Sequence, residues 1–340
     1  MRTLYIECNM GAAGDMLLAA LYELLEDKSA FLDTMNGLGL PGVHLEAVPG
    51  TTCGIAGTHM RVTVHGEEEH EPAAGHGHGH AHGHDHAHPH EHAHAHAHHH
   101  ATPGHIAEII DGLTLPDAVK QHARSVYDAI AVAEAKAHGC PVGDVHYHEV
   151  GALDAVADVT GVCYALHLLQ PERVVVSPIH VGSGTVRRAH GVMPVPAPAT
   201  ANLLTGVPIY GGAVQGELCT PTGAALLTHF AASFGPMPVM SVEAAGVGIG
   251  TKTFEQANCV RAFLGETVDE TNGEIVELVC NIDDMTPEAL AFASARLLDL
   301  GALDVYTVPG TMKKGRPGHV LTVLCRREQE GEMEIGRAHV

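Results

Sequence analysis

The sequence lacks tryptophan and has few other aromatic residues. Aromatic residues make up 4% of the 340 residues, whereas apolar residues as a whole make up 45%. The apolar share is that of an ordinary globular protein, so we expect a substantial core built from Ala, Val, Leu and Ile. The length allows two domains.

Basic residues are also scarce. Eighteen Lys and Arg stand against 40 Asp and Glu, which gives a formal net charge of -22. This balance argues against a nucleic-acid partner, because binding to phosphates needs many basic contacts. The acidic surface attracts cations, and an anionic ligand would require a local basic cluster.

The eight cysteines are widely spaced and form no C-x-x-C motif. We therefore expect reduced thiols rather than a disulfide framework or a zinc knuckle. The first residues lead directly into a strand-like run and do not resemble a signal peptide. No stretch approaches the roughly 18 uninterrupted apolar residues of a membrane span. Together these features predict a cytoplasmic protein without a membrane partner.

The order of apolar and glycine-rich stretches predicts a fold of the α/β class, and within it the α+β type. We expect a mixed-sheet N-terminal domain over residues 1–270, interrupted by a disordered histidine-rich loop over 66–104. The elements expected in this domain include a strand at Leu4–Cys8, helices at Met16–Leu25 and Ala118–His138, and a glycine turn at Gly246–Gly250.

Beyond a composition shift near Asn272, the pattern strand, helix, strand, strand predicts the opening of a ferredoxin-like unit over residues 274–334. The last helix and strand of such a unit are not apparent, so we expect a truncated domain. Residues 335–340 match one reading frame of a common sequencing-adapter stretch. We therefore set them apart from the fold, although a natural tail is the alternative.

The histidine-rich loop is the strongest chemical signal in the chain. Sixteen of the 29 histidines fall between His70 and His105. Neutral imidazole suits Ni, Zn, Cu and Fe, so we expect many weak sites that collect a transition metal. A solubilising linker is the alternative. The predicted metal ligands of this loop are His76, His78, His80, His82, His84 and His86.

A second group of polar residues runs from His146 to Asp158. His146 and His148 project to one side if their segment is extended, and Asp154 and Asp158 share one face if theirs is helical. Imidazoles and carboxylates that converge in this way suit a divalent ion or acid–base chemistry. A helix cap followed by a solvated acidic face is the alternative. The predicted metal ligands are His146, His148 and Asp158.

Three other segments are candidates for anion or cation binding. The glycine turn that contains Asp15 could present backbone N–H groups to an anion. Arg187 and Arg188 lie in a segment rich in glycine and hydroxyl groups, and Thr220 and Thr222 precede a helix. A threonine N-cap without chemistry is an equally good interpretation of the last pair.

In the C-terminal domain, Lys313, Lys314 and Arg316 form a basic glycine loop that predicts a phosphate-binding site. Asp283 and Asp284 offer carboxylates for a divalent cation that would accompany the phosphates. A solvated hairpin is the alternative.

Several of these motifs resemble the LarC family of pyridinium-3,5-bisthiocarboxylic acid mononucleotide nickel insertion proteins. The segments that carry the resemblance are Gly14–Met16, His146–Ala152, Met193–Thr200, Thr220–Ala225, Asn281–Met285 and Met312–Gly318, and the histidine loop lies where that family carries one. Two departures are Glu7, where aspartate is expected, and the incomplete C-terminal part.

The resemblance implies a nickel insertase, or cyclometallase, of the lyase class that acts late in the synthesis of the nickel-pincer cofactor. Nickel as substrate metal, CTP, and Mn²⁺ or Mg²⁺ would be required. Lys313, Lys314 and Arg316 would then bind the nucleotide. A nickel–carbon bond forms only when a ring proton is lost, so His148 or Glu149 is the expected base, and Asp154 is a further expected catalytic residue.

Two other classes of function stay open from the sequence. One is a nickel or zinc storage protein or metallochaperone, in which the loop is the whole function. The other is a nucleotide-binding transferase in which the loop is incidental. The sequence also leaves homo-oligomerisation open.

Overall fold

The computed structural model of the chain describes residues 1–68, 101–147, 150–188, 191–267 and 275–338. The chain divides into two compact units, Met1–Thr267 and Val268–Val340. Each unit has its own sheet and its own hydrophobic core.

The first unit contains fourteen strands and seven helices within the described residues. The strands are β1 (Arg2–Glu7), β2 (Val43–Thr52), β3 (Ile55–Val64), β4 (Glu67–Glu68), β5 (Arg173–Val176), β6 (Ile179–His180), β7 (Gly182–Ser183), β8 (Thr185–Arg188), β9 (Gly191–Pro194), β10 (Ile209–Tyr210), β11 (Gly216–Glu217), β12 (Ser233–Phe234), β13 (Met240–Ile249) and β14 (Cys259–Thr267). The helices are α1 (Gly14–Glu23), α2 (Lys28–Asn36), α3 (Pro103–Gly112), α4 (Asp117–His138), α5 (Leu153–Leu169), α6 (Pro198–Leu203) and α7 (Pro221–Phe230).

The main sheet of this unit is mixed. Its strand order is β12-β5-β1-β14-β13-β3-β2, and β4 adds to β3. The inner strand β1 is parallel to β5 and antiparallel to β14. The predicted mixed α/β class is thus confirmed for the first unit.

Glycines in β13 allow α1 to pack directly on the sheet. A Cβ added to Gly248 would lie 1.9 Å from the carbonyl oxygen of Met16, and one added to Gly246 would lie 2.1 Å from that of Ala20. The prediction of a glycine turn at Gly246–Gly250 is therefore wrong, because most of this segment is strand. The glycines leave room for α1 to approach the strand closely, and they do not turn the chain.

Helices α1 and α5 pack against each other in the core. Gly161 of α5 has no side chain, and a Cβ there would lie 2.9 Å from Leu18 of α1. Both helices have small or aliphatic residues around most of their surface, and most of these residues are buried. The contact places the N-terminal turn of α1 beside α5.

The predicted loop over 66–104 is shorter than expected at both of its ends. Glu67 and Glu68 pair with β3, and Ala101 pairs with Tyr147. Helix α3 begins at Pro103, after Thr102, whose side chain accepts a hydrogen bond from the backbone N–H of His105. The predicted ligands His76 to His86 lie outside the described residues.

The second unit contains β15 (Ile275–Ile282), α8 (Pro287–Asp299), β16 (Asp304–Thr311), β17 (Pro317–Arg326) and α9 (Glu330–Ala338). The sheet order is β15-β17-β16, and all pairs are antiparallel. This order is that of the first three strands of a ferredoxin-like unit.

The expectation that no helix follows the third strand is wrong. Helix α9 follows β17, and Met333 of this helix is fully buried in the core with Leu321 and Val323. Helical backbone continues into the segment that the sequence analysis set apart, as far as Ala338. Met333, which lies before that segment, anchors α9 to the core.

Candidate functional site

Three aspartates lie at the N-terminal ends of two packed helices. Asp15 is in the first turn of α1, and Asp154 is in the first turn of α5. Asp158 follows one turn later and shares a face of α5 with Asp154. The helix that the sequence analysis assumed for these two residues is confirmed, so their carboxylates are neighbours.

Asp158 joins the two helices. Its carboxylate lies close to the backbone N–H of Asp15, which acts to lower the pKa of Asp158. Ala13, the residue before α1, provides no side-chain cap, so Asp158 places a carboxylate of α5 at the N-terminus of α1. A Cβ added to Gly14 would lie 2.7 Å from Asp158 Oδ2. Glycine at this position is therefore required for the approach.

The surroundings of the three aspartates favour the protonated form. Burial raises the pKa of Asp15 to about 6, although the nearby His59 acts in the opposite direction. Burial raises the pKa of Asp158 well above its usual range, and the charges of Asp15 and Asp154 raise it further. Burial also raises the pKa of Asp154. The cluster therefore keeps a proton at pH values where exposed aspartates have lost theirs.

One oxygen of this cluster has no hydrogen-bond partner in the described part of the chain. Asp158 Oδ1 is buried there without a donor. A buried carboxylate oxygen without a donor is costly when it is charged. The arrangement is typical of a group that gains or loses a proton during its function.

His59 and Tyr127 are neighbours of the cluster that sequence reasoning missed. His59 Nδ1 donates to the carbonyl oxygen of Ile249 at 3.1 Å, and its Nε2 lies 3.3 Å from Glu68 Oε1. Burial raises the pKa of Tyr127 strongly; Tyr147 and then the carboxylates of the cluster add to the effect. No sequence pattern links these residues to the cluster, because strand pairing and helix packing bring them there.

The segment before α5 is anchored by a buried tyrosine. The hydroxyl group of Tyr147 donates a hydrogen bond to the carbonyl oxygen of Tyr127 at 3.1 Å. The backbone N–H of Tyr147 donates to the carbonyl oxygen of Ala101 at 2.9 Å. His146, next to it, is exposed. His148 and Glu149 lie outside the described residues, so their predicted catalytic roles stay predictions.

The structure does not bring together a complete set of metal ligands in the parts of the chain that it describes. No three His, Cys, Asp or Glu side chains converge there closely enough to hold a metal ion. The assignment of His146 and Asp158 as metal ligands therefore stays a prediction. The chemistry that the aspartate cluster offers by itself is proton transfer.

The predicted anion-binding residues of the first unit have different surroundings. Arg187 is exposed, whereas Arg188 forms an ion pair with Glu217, and both partners of this pair are largely buried. Thr220 caps α7 by accepting a hydrogen bond from the backbone N–H of Gly223 at 3.2 Å. Thr222 is buried. Arg187 is therefore more accessible to an anion than Arg188 is.

Two buried thiols near the end of β1 also escaped sequence reasoning. Cys8 and Cys219 are fully buried and free, and burial raises the pKa of Cys219 to about 12. Burial also raises the pKa of Cys8, and the neighbouring Cys219 raises it further. Both therefore stay protonated near neutral pH. All eight cysteines of the chain are free in the structure; their redox state stays a prediction.

In the second unit, the basic loop and the acidic pair lie at one end of the sheet. Lys313, Lys314 and Arg316 are exposed in the connection between β16 and β17, where Lys314 has a positive φ of 65°. Arg316 Nη1 lies 3.5 Å from Asp283 Oδ2, and Asp284 is exposed beside it. Cations and carboxylates predicted to bind a nucleotide and its metal thus share one surface.

The fold and the aspartate cluster define a class: a two-unit α/β protein whose first unit contains a buried cluster of carboxylates. No described helix is long and apolar enough to cross a membrane. A family model for the nickel insertion protein matches residues 4–335. The chain belongs to this family, and the resemblance found from the motifs is confirmed.

Relatives in several bacteria support the same assignment. A putative nickel insertion protein of Geotalea daltonii is 40% identical over 336 residues, covering 97% of this chain and 78% of the relative. Pyridinium-3,5-bisthiocarboxylic acid mononucleotide nickel insertion proteins of Staphylococcus saprophyticus and Desulfitobacterium hafniense are 38% and 40% identical. These matches cover 97% and 98% of this chain and 77% of each relative. No solved structure gave a significant match.

Proposed function

We propose that the chain inserts nickel into pyridinium-3,5-bisthiocarboxylic acid mononucleotide and so forms the nickel-pincer cofactor. The observation that carries the proposal is the family match over nearly the whole chain, which includes the segments that hold the aspartate cluster and the basic loop. Nickel is a substrate of this reaction, and the product contains nickel–sulfur bonds and a nickel–carbon bond.

The buried aspartates suit the step that forms the nickel–carbon bond. When nickel replaces hydrogen on the pyridinium ring, the ring carbon keeps the electron pair and its proton must go to a base. A general base works best when its pKa lies near the operating pH. Asp15, with a pKa of about 6, is ionised near neutral pH and still basic enough to accept a proton. It is our preferred proton acceptor; His148 and Glu149 are the alternatives from the sequence.

We further propose that the reaction uses CTP with Mn²⁺ or Mg²⁺ and that the second unit binds them. Lys313, Lys314 and Arg316 offer three positive charges on exposed side chains, which suits phosphates. Asp283 and Asp284 offer oxygen ligands for the accompanying hard cation. We propose that the enzyme is of the lyase class and works in the cytoplasm, where thiols stay reduced; the free cysteines are compatible with that compartment.

The test is a reconstituted reaction followed by mass spectrometry. The full chain is incubated with Ni²⁺, CTP, Mn²⁺ and the bisthiocarboxylate mononucleotide, and each component is omitted in turn. The proposal predicts a nickel-bearing nucleotide that needs every component and is not formed with ATP or GTP in place of CTP. A reaction without product under all these conditions contradicts it.

A storage protein or metallochaperone is a second candidate, because 16 of the 29 histidines lie between His70 and His105. Deletion of His70–His100 distinguishes the two. A storage protein loses its function with that segment. An insertase supplied with excess nickel still forms the product.

A further inference from the structure

Two histidines from different helices meet on the surface of the first unit. His122 belongs to α4 and His229 to α7, and the two are 107 positions apart in sequence. His122 Nδ1 and His229 Nε2 lie 2.9 Å apart, and the rings meet edge to face with an interplanar angle of 70°. His122 is exposed, and His229 is half-buried. The pair belongs to none of the motifs discussed above.

The contact between the two rings requires a neutral imidazole, which is the form that binds metals. A hydrogen bond between two imidazole nitrogens needs one donor and one lone pair, so at least one ring is neutral. Burial lowers the pKa of His229, and the neighbouring His122 lowers it further. Metal ions bind neutral imidazole and compete with protons for its lone pair.

The spacing of the nitrogens matches that of two ligands on one metal ion. Bonds between a metal and imidazole nitrogen are about 2.0–2.1 Å long, so two nitrogens at a right angle on one ion are about 2.9 Å apart. The observed separation has this value. Only a small torsional adjustment of each side chain is needed to turn both lone pairs toward a shared ion.

Phe230 packs against both rings and limits their movement to small adjustments. Its ring centroid lies 5.1 Å from that of His122 and 4.7 Å from that of His229. Aromatic contacts on both sides restrict the rotamers of the histidines. Side chains that are already ordered lose less entropy when they bind a ligand.

We propose that His122 and His229 form a two-histidine chelate for a divalent transition-metal ion. Imidazole pairs bind Ni²⁺, Cu²⁺ and Zn²⁺ and have little affinity for Mg²⁺. Water completes the coordination shell, because no third ligand converges on any site within the described residues. The net charge of -22 draws cations toward the surface. The proposal does not depend on the insertase activity, since it concerns metal binding alone.

Hydrogen exchange of the full chain tests the proposal, with Ni²⁺ as the probe and Mg²⁺ as the comparison. An ion that joins α4 to α7 slows amide exchange in peptides from 117–138 and 221–230. We expect this slowing in the parent protein and in the control His44→Ala, which removes an exposed histidine of β2. We expect it to be lost in His122→Ala and His229→Ala. All variants keep the histidines of the loop, so binding there is common to every comparison.

The melting temperature gives a second readout. At free nickel about 100-fold above the Kd, binding to the folded state raises the Tm by about 5–10 °C, and most of this rise should vanish in both alanine variants. His122→Gln keeps a polar side chain for His229 but is a poor metal ligand. It should lose the nickel-dependent rise while its metal-free Tm stays within a few degrees of the parent. Equal nickel effects in all proteins, or an equal effect of Mg²⁺, overturn the proposal.

Discussion

Replacing Asp15 with asparagine should make the folded protein more stable at neutral pH. The folded state raises the pKa of Asp15 from 3.8 to about 6. Between these two values the folded chain holds a proton that the unfolded chain has already released. Stability from this group is therefore complete below pH 4 and is lost as the pH rises through 6.

The size of the effect follows from the pKa change. At 1.36 kcal/mol per pH unit, the change corresponds to about 3 kcal/mol of lost stability above pH 7. Asparagine has a similar volume and no charge, so Asp15→Asn escapes this loss. Removal of the negative charge also relieves Asp158, whose pKa the charge of Asp15 raises; this second effect has the same sign.

The measurement is urea unfolding at pH values from 4 to 8. Six of the seven tyrosines lie in the first unit, so tyrosine fluorescence follows mainly that unit. The free energy of unfolding of Asp15→Asn minus that of the parent should grow by about 2.4 kcal/mol between pH 4 and pH 7, because part of the effect is already present at pH 4. Asp33→Asn, which changes an exposed aspartate of α2, should show no such growth. A difference that is flat with pH refutes the reasoning.

Three further predictions concern the packing, the buried ion pair and the basic loop. Gly248→Ala should lower the free energy of unfolding by at least about 2 kcal/mol, since a Cβ there collides with the backbone of α1; Gly235→Ala, in open space, should change little, and equal urea midpoints contradict this. Arg188→Met should cost about 3–5 kcal/mol, because it removes the guanidinium that pairs with the buried carboxylate of Glu217, and a second change, Glu217→Gln, should recover much of the loss. Lys313→Ala should weaken CTP binding roughly 10- to 100-fold in calorimetry, because a charge-assisted contact contributes about 1.5–3 kcal/mol; unchanged affinity contradicts the assignment.

Long periodic segments of this chain were predictable from the sequence. The helix expected at Ala118–His138 is found at Asp117–His138, and the strand expected at Leu4–Cys8 is found at Arg2–Glu7. Apolar periodicity and alanine content report directly on local structure. The shorter helix α2 was not predicted, since a nine-residue helix with two buried positions carries little periodic signal.

The glycines of β13 show where local reasoning fails. A run of alternating glycines is a turn signal when it is considered alone. Here the missing side chains make room for α1, which lies more than 200 positions earlier. Only the packed structure reveals the reason for these glycines.

Two of the three aspartates in the cluster could be placed together from the sequence. The spacing of Asp154 and Asp158 gave their common helical face from the sequence alone. Asp15 joins them because Gly14 and Gly161 let α1 approach α5, and no spacing rule reports such a contact. For the same reason the partner of Arg188 could not be foreseen.

The most direct test of the account follows the proton that leaves the substrate ring. The mononucleotide is labelled with tritium at the ring carbon that takes up nickel, and tritium release is compared with the amount of nickel-bearing product. The account predicts one tritium released for each product formed, and both rates at least tenfold lower in Asp15→Asn than in Asp33→Asn. Product formation by Asp15→Asn at the parental rate would contradict the central role given to the aspartate cluster.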